Sequence, residues 1–301
     1  MSESKGASTE LDTLDSLSVD VLTDDVSDNY VSKTLFAVSD FSNVVLGGAT
    51  VISGEALLWA NLGIRLGAVE AIAVTHGHWD HMAALPMTID TIIEQAGRVI
   101  VHVNPGMFNE RAIRLSSGRI VPVANVPSPA ELEQHGATVI NDPAERLILD
   151  NHFYYSGEIP RVSSFEKGRE DHLCRLSAKA PWGPDPLLLD ERFLVAKVNG
   201  LGLAVFSSCS HAGIVNVCTH VTDLFPGTPI HTVMGGLHLG GVMERNIPDT
   251  VEGLRPFNIR HIITGHCTGW RALHALANAF GEAVSQSAVG TTYHFSAGQP
   301  A

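Results

Sequence analysis

The seven residues THGHWDH, at positions 75–81, constrain this chain more than any other part of its sequence. They hold three histidines and one aspartate, and they follow the apolar run AIAV, which is typical of a buried strand. His76 and His78 can turn toward one ion, whereas Asp80 and His81 lie further round and can face a second. The alternative is a polar loop with several surface histidines. Because HxHxDH is far more specific than one histidine pair, we predict a metal site here.

Three further histidines follow predicted strands. His211 lies in SSCSHAG, His238 in MGGLHLGG and His266 in ITGHCTG. Glycine or another small residue flanks each of them, which lets the backbone come close to a ligand. Taken singly, each fits a structural histidine as well as a metal ligand. Taken together with the first cluster, they favour convergence of all these side chains on one face of the molecule.

Short β-branched runs alternate with longer helical stretches along the chain, which predicts a single mixed domain over residues 17–301. Residues 1–16 carry few large apolar groups and are predicted to form a flexible tail. The pattern weakens over 104–190, where proline, glycine and serine are common and loops that cover a site are expected. Strands are predicted at 18–22, 43–52, 71–76, 98–103, 192–198, 203–208, 231–236 and 261–266, and helices at 56–67, 87–97, 213–225 and 271–284.

The charge balance limits the classes of partner. The chain has 19 basic and 32 acidic residues, a net charge of −13, and it has no run of lysine or arginine that could neutralise a row of phosphates. We therefore expect no nucleic-acid partner, and a small, anionic substrate that metal ions attract. The polar N-terminus lacks a secretory signal, no apolar stretch is long enough for a membrane span, and the four cysteines form no CxxC pair. A soluble cytoplasmic protein is expected, and a homo-oligomer is left open.

Several segments resemble one protein superfamily. HGHWDH matches the signature of the metallo-β-lactamase superfamily, and SGEIPRVSSFEKG, SCSHAGIVN, GGLHL and GHCTG are together similar to one branch of it. That branch is typified by the methanopterin-pathway synthase that joins a dihydropterin to ribofuranosylaminobenzene phosphate. The resemblance covers residues 56–270. It implies an α+β fold, a four-layer αββα sandwich with a metal site at one edge, and a metal-dependent hydrolase or transferase.

The resemblance also implies roles for the first cluster. His76 and His78 would bind a first metal ion, and Asp80 and His81 a second. His266 stands where the superfamily has its last histidine, a ligand of the second ion. Asp80 could also hold a reacting water or receive its proton.

The middle of the implied site departs from the superfamily. Most of its hydrolases have a metal-bridging aspartate at the end of a hairpin's second strand, and this chain has Cys209 at about that place. His211 is the preferred additional ligand, Cys209 is a candidate, and His172 is the nearest histidine upstream of the hairpin. The aspartate and glycine that often follow the superfamily's second strand are replaced here by GGAT at 47–50. One or two divalent ions therefore remain possible, with zinc expected and iron or manganese as alternatives.

Three residues are assigned to substrate and chemistry. His238 is expected near the reacting group, as a metal ligand or a proton donor. Arg161 could take a phosphate or carboxylate in a bidentate manner, with Glu158 nearby in the same SGEIPR segment. A surface ion pair between Arg161 and Glu158 is the alternative.

Three functions follow as alternatives. The first is a metal-dependent enzyme that acts on a phosphorylated or heterocyclic, pterin-like small molecule by transfer, condensation or hydrolysis. The second is a general hydrolase of ester, lactone, thioester or phosphodiester bonds, which the missing bridging aspartate disfavours. The third is a binding protein that keeps the fold without turnover.

Overall fold

The computed structural model describes residues 10–20, 66–288 and 291–297. Within those ranges the α-helices are α1 (Trp79–Met82), α2 (Leu85–Ala96), α3 (Pro129–Gln134), α4 (Ile214–Leu224), α5 (Ile247–Leu254) and α6 (Trp270–Phe280). The strands are β1 (Thr13–Leu14), β2 (Ser16–Asp20), β3 (Ala71–Ala73), β4 (Ile100–Val103), β5 (Glu110–Arg114), β6 (Ile120–Pro122), β7 (Thr138–Asn141), β8 (Arg146–Ile148), β9 (Phe153–Tyr155), β10 (His172–Arg175), β11 (Gly183–Pro184), β12 (Leu194–Val198), β13 (Gly202–Ser207), β14 (Ile230–Gly236), β15 (His261–Gly265), β16 (Val284–Gln286) and β17 (Thr292–Ser296).

The main sheet has eight strands among the described residues, in the order β16-β15-β14-β13-β12-β9-β8, with β1 also paired to β12. Strands β13 to β16 run parallel to one another, and β12 and β13 form an antiparallel hairpin, as the sequence predicts. Smaller sheets are formed by β3-β4-β7, by β11-β10-β5-β6 and by β17-β2. The parallel strands end at one edge of the main sheet, and that edge carries the site described below.

The two faces of the main sheet pack against different layers. Side chains alternate along each strand, so that Val195 and Val205 face one side while Ala196 and Ala204 face the other. The first side packs against α4, α5 and α6, and the second packs against the β2–β17 pair through Leu17 and other apolar residues.

A separate core joins the β3-β4-β7 sheet to helices α2 and α3. Ile89 and Ile92 of α2 and Leu132 of α3 pack on Val101 and Val103 of β4, and all five side chains are buried. Gly97 ends α2 with a φ of 76°, a conformation that favours glycine. Helices therefore cover sheets on both outer sides, which is the layering of an αββα sandwich.

Most predicted elements coincide with observed ones, and one prediction is corrected. Residues 104–190 are rich in turns and irregular segments, as the sequence predicts, but they also contain seven short strands, β5 to β11, and helix α3. Strands of two to five residues are too short to show a clear alternation, and their partners are distant in sequence. The predicted tail over 1–16 is too long, because Leu11 is buried and β1 pairs with β12.

Some predictions fall beyond the described residues. The strand at 43–52, the GGAT segment and almost all of the helix at 56–67 lie outside them, as do the first nine residues of the predicted tail. In the part of the chain that is described, no helix is both long and apolar enough to cross a bilayer.

Candidate metal centre

Four histidines of the candidate site lie within four residues of the end of a strand. His76 follows β3, His211 follows β13, His238 follows β14, and His266 follows β15. The last two have left-handed backbone, with a φ of 47° at each, and Ser210 beside His211 has a φ of 56°. Such backbone is uncommon for non-glycine residues and is often found at functional sites. The strand ends thus aim these side chains at one region.

His76, His78 and His211 form what we name the first ligand set. One ring nitrogen from each lies within 4.8 Å of the others. The ring centroids are 4.8 Å apart for His76 and His78, and 4.6 Å apart for His78 and His211. The Nε2 atoms of His76 and His211 are buried without a hydrogen-bond partner. Buried polar atoms normally have a partner, so these two nitrogens fit a metal ion.

Asp80, His81 and His266 form the second ligand set, again with their candidate ligand atoms within 4.8 Å of one another. The Asp80 carboxylate lies 3.7 Å from Nε2 of His81 and 3.7 Å from Nε2 of His266. The side chain of Asp80 is 44% exposed, whereas those of His81 and His266 are 18% and 20% exposed. This set is therefore open to solvent on the Asp80 side.

Cys209 lies between the two sets. Its Sγ is 3.2 Å from Nε2 of His81, and it forms a further possible ligand group with His76 and His81. The residue is buried, with 2% of its surface exposed. A sulfur atom thus faces both ligand sets. The resemblance to the superfamily leads one to expect a carboxylate at about this position.

Burial keeps the first ligand set uncharged. Removal from water is the main cause that lowers the pKa of His76, His78 and His211 well below its ordinary value. Neighbouring positive charge adds to this effect, first from His81 for His76, from Arg111 for His78 and from His238 for His211. Because metal ions bind neutral imidazole, these side chains need lose no proton to bind one at neutral pH.

A buried ion-pair network holds the HxH turn. Asp190 accepts a hydrogen bond from the backbone N–H of Gly77 at 2.9 Å, and its other oxygen accepts one from Arg111 at 2.7 Å. Arg111 also donates to Asp185 at 2.6 Å. A Cβ at Gly77 would lie 2.2 Å from the carbonyl oxygen of Met107, so only glycine fits between His76 and His78. This network fixes the direction of His76 and His78.

A second buried carboxylate holds His211. Glu191 accepts hydrogen bonds from the backbone N–H groups of His211 and Ala212, at 2.7 Å and 2.5 Å. Burial raises the pKa of Glu191 to about 7, although these two bonds act in the opposite direction. Asp190 and Glu191 are neighbours just before β12, so one short segment supports both halves of the first ligand set.

The polar side chains of the SGEIPRVSSFEKG segment mainly form hydrogen bonds with backbone groups. Glu166 accepts hydrogen bonds from the N–H groups of Val215 and Asn216, in the first turn of α4. Arg161 donates to the carbonyls of Ile159 and Leu187. Arg161 therefore joins two loops through these carbonyls, and its guanidinium is not an exposed fork for an anion. Among the described residues it forms no ion pair with Glu158, the alternative considered from the sequence. Glu158 itself is exposed.

His238 and His172 flank the first ligand set. The His238 ring centroid is 4.1 Å from that of His211, and both of its ring nitrogens are buried without a hydrogen-bond partner. His172 lies 6.0 Å from His78 between ring centroids, and burial lowers its pKa to about 3. A cavity of about 20 Å³, enough for one water molecule, lies beside His211, His238 and Glu166. These two histidines can thus reach a group held at the centre.

Sequence reasoning missed three residues that orient the candidate ligands: Arg111, Asp190 and Glu191. The available signal was weak, because acidic residues before a strand and a lone arginine in a strand are usually solvated. The strongest hint was DERF before the predicted hairpin, where two carboxylates precede an apolar run. Only the folded chain brings these carboxylates to the backbone N–H groups of distant segments.

Comparison with known proteins supports the fold. No protein-family model matches the chain. The chain is similar to the 7,8-dihydropterin-6-methyl-4-(beta-D-ribofuranosyl)-aminobenzene-5'-phosphate synthase of Methanocaldococcus jannaschii, with 25% identity over 227 residues, 73% of this chain and 74% of the synthase.

Its structure is similar to that of Tm1679, described as a metal-dependent hydrolase of the beta-lactamase superfamily. The TM-score is 0.64 at 20% identity, over 80% of this chain and 85% of that one. At this identity the structural likeness shows a common fold, and the order of layers described above agrees with it. The chain therefore has the fold of the metallo-β-lactamase superfamily and is similar in sequence to the dihydropterin synthase branch of that superfamily.

Proposed function

We propose that this protein is a metal-dependent enzyme that acts on a small, phosphorylated or heterocyclic, pterin-like substrate by transfer or condensation. The observation that carries the proposal is the pair of adjacent ligand sets at one sheet edge, with Cys209 between them in place of a carboxylate. His76, His78 and His211 would hold a first divalent ion, and Asp80, His81 and His266 a second. Zinc is the expected ion, since imidazole, carboxylate and thiolate are all ligands that it accepts.

The two sets divide the chemistry between them. A divalent ion bound here would polarise a phosphoryl or carbonyl oxygen and activate water at neutral pH. The first set is buried and its histidines are held by Asp190 and Glu191, which suits tight and permanent binding. The second set is open at Asp80, which allows the oxygens of a substrate to approach.

Two residues are placed to move protons. Asp80 has a solvent-exposed carboxylate beside His81 and His266, so that it can accept a proton from a reacting group. His238 has two buried ring nitrogens without partners and lies against His211, so that it can donate a proton or bind the reacting group. We assign Asp80 and His238 as the catalytic residues on this basis.

The substrate class is supported by similarity and by charge. The name of the Methanocaldococcus jannaschii synthase describes a product that contains a pterin and a sugar phosphate. A chain of net charge −13 would repel an anion unless bound cations attract it, so the metal ions would be the main anchor for phosphate. Arg161 is not needed for this role, since its guanidinium binds carbonyl groups.

A paired assay tests the proposal. Protein purified without chelator would first be analysed for metal content. It would then be incubated with a reduced pterin that carries a diphosphate leaving group and with a phosphorylated aminobenzene acceptor, and release of diphosphate would be followed. We expect metal-dependent release that requires the acceptor, and loss of that release in His78→Ala but not in Cys174→Ser. Bound metal without any condensation would overturn the transferase assignment.

General hydrolysis is the second candidate, and the exposure of Asp80 favours it. A carboxylate that is open to water beside the second set could take the proton of an attacking water molecule. Chromogenic phosphodiester, lactone and thioester substrates would reveal this activity. Stoichiometric metal with neither condensation nor hydrolysis would instead indicate a binding protein on the same fold.

A further inference from the structure

Two cysteines come together at the strand ends beside the second ligand set. Cys209 follows β13 and Cys267 follows β15, and the Sγ of Cys267 lies 3.5 Å from the carbonyl oxygen of Cys209. The strand between them, β14, ends at Gly236. A Cβ there would lie 2.7 Å from Sγ of Cys267 and 3.4 Å from Cα of Cys209. The nearest atom of all would be the carbonyl oxygen of Ser208, at 2.5 Å, so glycine at this position leaves room for the Cys267 thiol against the backbone that carries Cys209.

The two thiols also share a neighbour with the second ligand set. One candidate ligand atom each from Cys209, His266 and Cys267 lies within 4.8 Å of the other two. We name these three residues the thiol set. His266 belongs to both groups, so an ion near His266 can be held either by oxygen and nitrogen, through Asp80 and His81, or by sulfur and nitrogen, through the two cysteines.

We propose that the thiol set is a coordination site for a thiophilic divalent cation, and that the softness of the ion decides between the two groups that share His266. Soft ions such as Cd²⁺, and Zn²⁺ to a lesser degree, prefer thiolate, whereas Mn²⁺ prefers carboxylate. This inference rests on the proposed metal centre, because it concerns where the second ion of that centre lies.

The charges balance in such a site. Each cysteine binds a metal ion as the thiolate, so that binding releases the thiol protons to solvent. Two thiolates and one neutral imidazole then compensate the charge of a divalent ion in a partly buried position. No oxidant or reductant takes part in this step.

The other two cysteines provide matched controls. Cys218 is buried in the core between α4 and the main sheet, and Cys174 lies on β10. Neither belongs to any of the possible ligand groups among the described residues. A signal from sulfur coordination should therefore depend on Cys209 and Cys267 alone.

The test is a titration of metal-free protein, kept reduced, with Co²⁺ and separately with Cd²⁺. Sulfur-to-metal charge transfer is followed in the near ultraviolet, and the number of bound ions is measured in parallel. We expect a charge-transfer band in the wild type, about half of that intensity in Cys209→Ser and in Cys267→Ser, and none in the double variant. Cys174→Ser should keep the full band. Circular dichroism of each variant would confirm that it is folded.

The outcomes separate this inference from the proposed function. Stoichiometric metal without a charge-transfer band overturns the thiol set and leaves the proposed enzyme intact. A band that disappears in Cys209→Ser but is unchanged in Cys267→Ser assigns one sulfur only and also overturns it. Failure of the wild type to bind any ion would overturn both proposals together.

Discussion

The first and second ligand sets lie side by side but differ in burial and in support. His76 is fully buried, His211 is 9% exposed and His78 is partly buried, whereas the side chain of Asp80 in the second set is 44% exposed. The first set consists of imidazoles alone, and two buried carboxylates hold the backbone around it. The second set mixes carboxylate with imidazole and has cysteines beside it.

This difference indicates that the two sets have different roles in metal and substrate binding. A buried group of neutral imidazoles is ready to bind before the ion arrives, since its desolvation and orientation are already part of the folded state. An open group with several ligand types can admit substrate and can accept more than one kind of ion. The following predictions test whether the two sets differ in this way.

Replacement of a ligand in the first set should have the largest effect. His78→Ala should remove most of the bound metal and the activity, because the remaining imidazoles cannot complete the site. Changes to groups that only orient a ligand typically lower metal affinity by about 10–100-fold. The loss in His78→Ala should be larger than this. Elemental analysis and competition with a chelator would measure it. His266→Ala should cost less total metal, and retention of both metal and activity by His78→Ala would refute the ligand assignment.

Replacement of the support should have the next largest effect. In Asp190→Asn, the amide NH₂ would face a donor, either Gly77 or Arg111, so that the HxH turn loses one of its anchors. We expect metal affinity of the first set to fall by about 10–100-fold, with the second set much less affected. Asp90→Asn, which changes an exposed bond to His135, is the matched control and should leave affinity unchanged. Equal loss in both variants would argue against a specific role of Asp190.

Acid should destabilise the metal-free protein through the buried histidines. His76, His172 and His211 have a lowered pKa in the folded state, about 3 for His172, against 6.5 ordinarily. Below pH 6.5 the unfolded chain binds protons that the folded chain does not, so stability should fall as pH decreases, by about 1.4 kcal/mol per pH unit for each such histidine.

Glu191 opposes this trend. Its raised pKa of about 7 means that the folded state binds a proton there before the unfolded state does, so its contribution favours folding as the pH falls from 7 to 4.5. Burial raises the pKa of Glu166 and Asp185 as well, but His78 adds to the other three histidines, so the net effect near pH 6 should still be a loss of stability. Urea unfolding at a series of pH values would measure it, and a flat profile from pH 7 to 5.5 would contradict the buried, neutral state of the first set.

The smallest expected effect concerns Cys209, whose Sγ lies between the two ligand sets. Cys209→Asp would place a carboxylate where both sets can reach it, and it should raise the affinity of the second ion by several fold when Mn²⁺ is used. Isothermal titration calorimetry of the metal-free protein with Mn²⁺ would detect the change in affinity. Cys218→Ala, in the helix core, should leave Mn²⁺ binding unaltered. No gain in Cys209→Asp would mean that Cys209 does not lie at the bridging position.

Local sequence was enough for the strands and for the residues that end them. The apolar runs before His76, His211, His238 and His266 predict strands that are present in the structure. The spacing of HxHxDH predicts a dense group of ligands, and the six histidine and aspartate ligand candidates do fall into two compact sets. The short strands between 104 and 190 could not be predicted, because their stability comes from pairing with distant strands rather than from local pattern.

The sequence by itself determined which side chains are candidates for metal binding, since ligand type and spacing along the chain are local properties. The tertiary structure alone decided how those side chains are grouped and what supports them. Asp190 reaches Gly77 across 113 positions, and Glu191 reaches His211 across 20. Such contacts depend on where the sheet brings strand ends together, and no local pattern encodes them. For the same reason, only the fold brings Cys267 beside Cys209, 58 positions earlier in the chain.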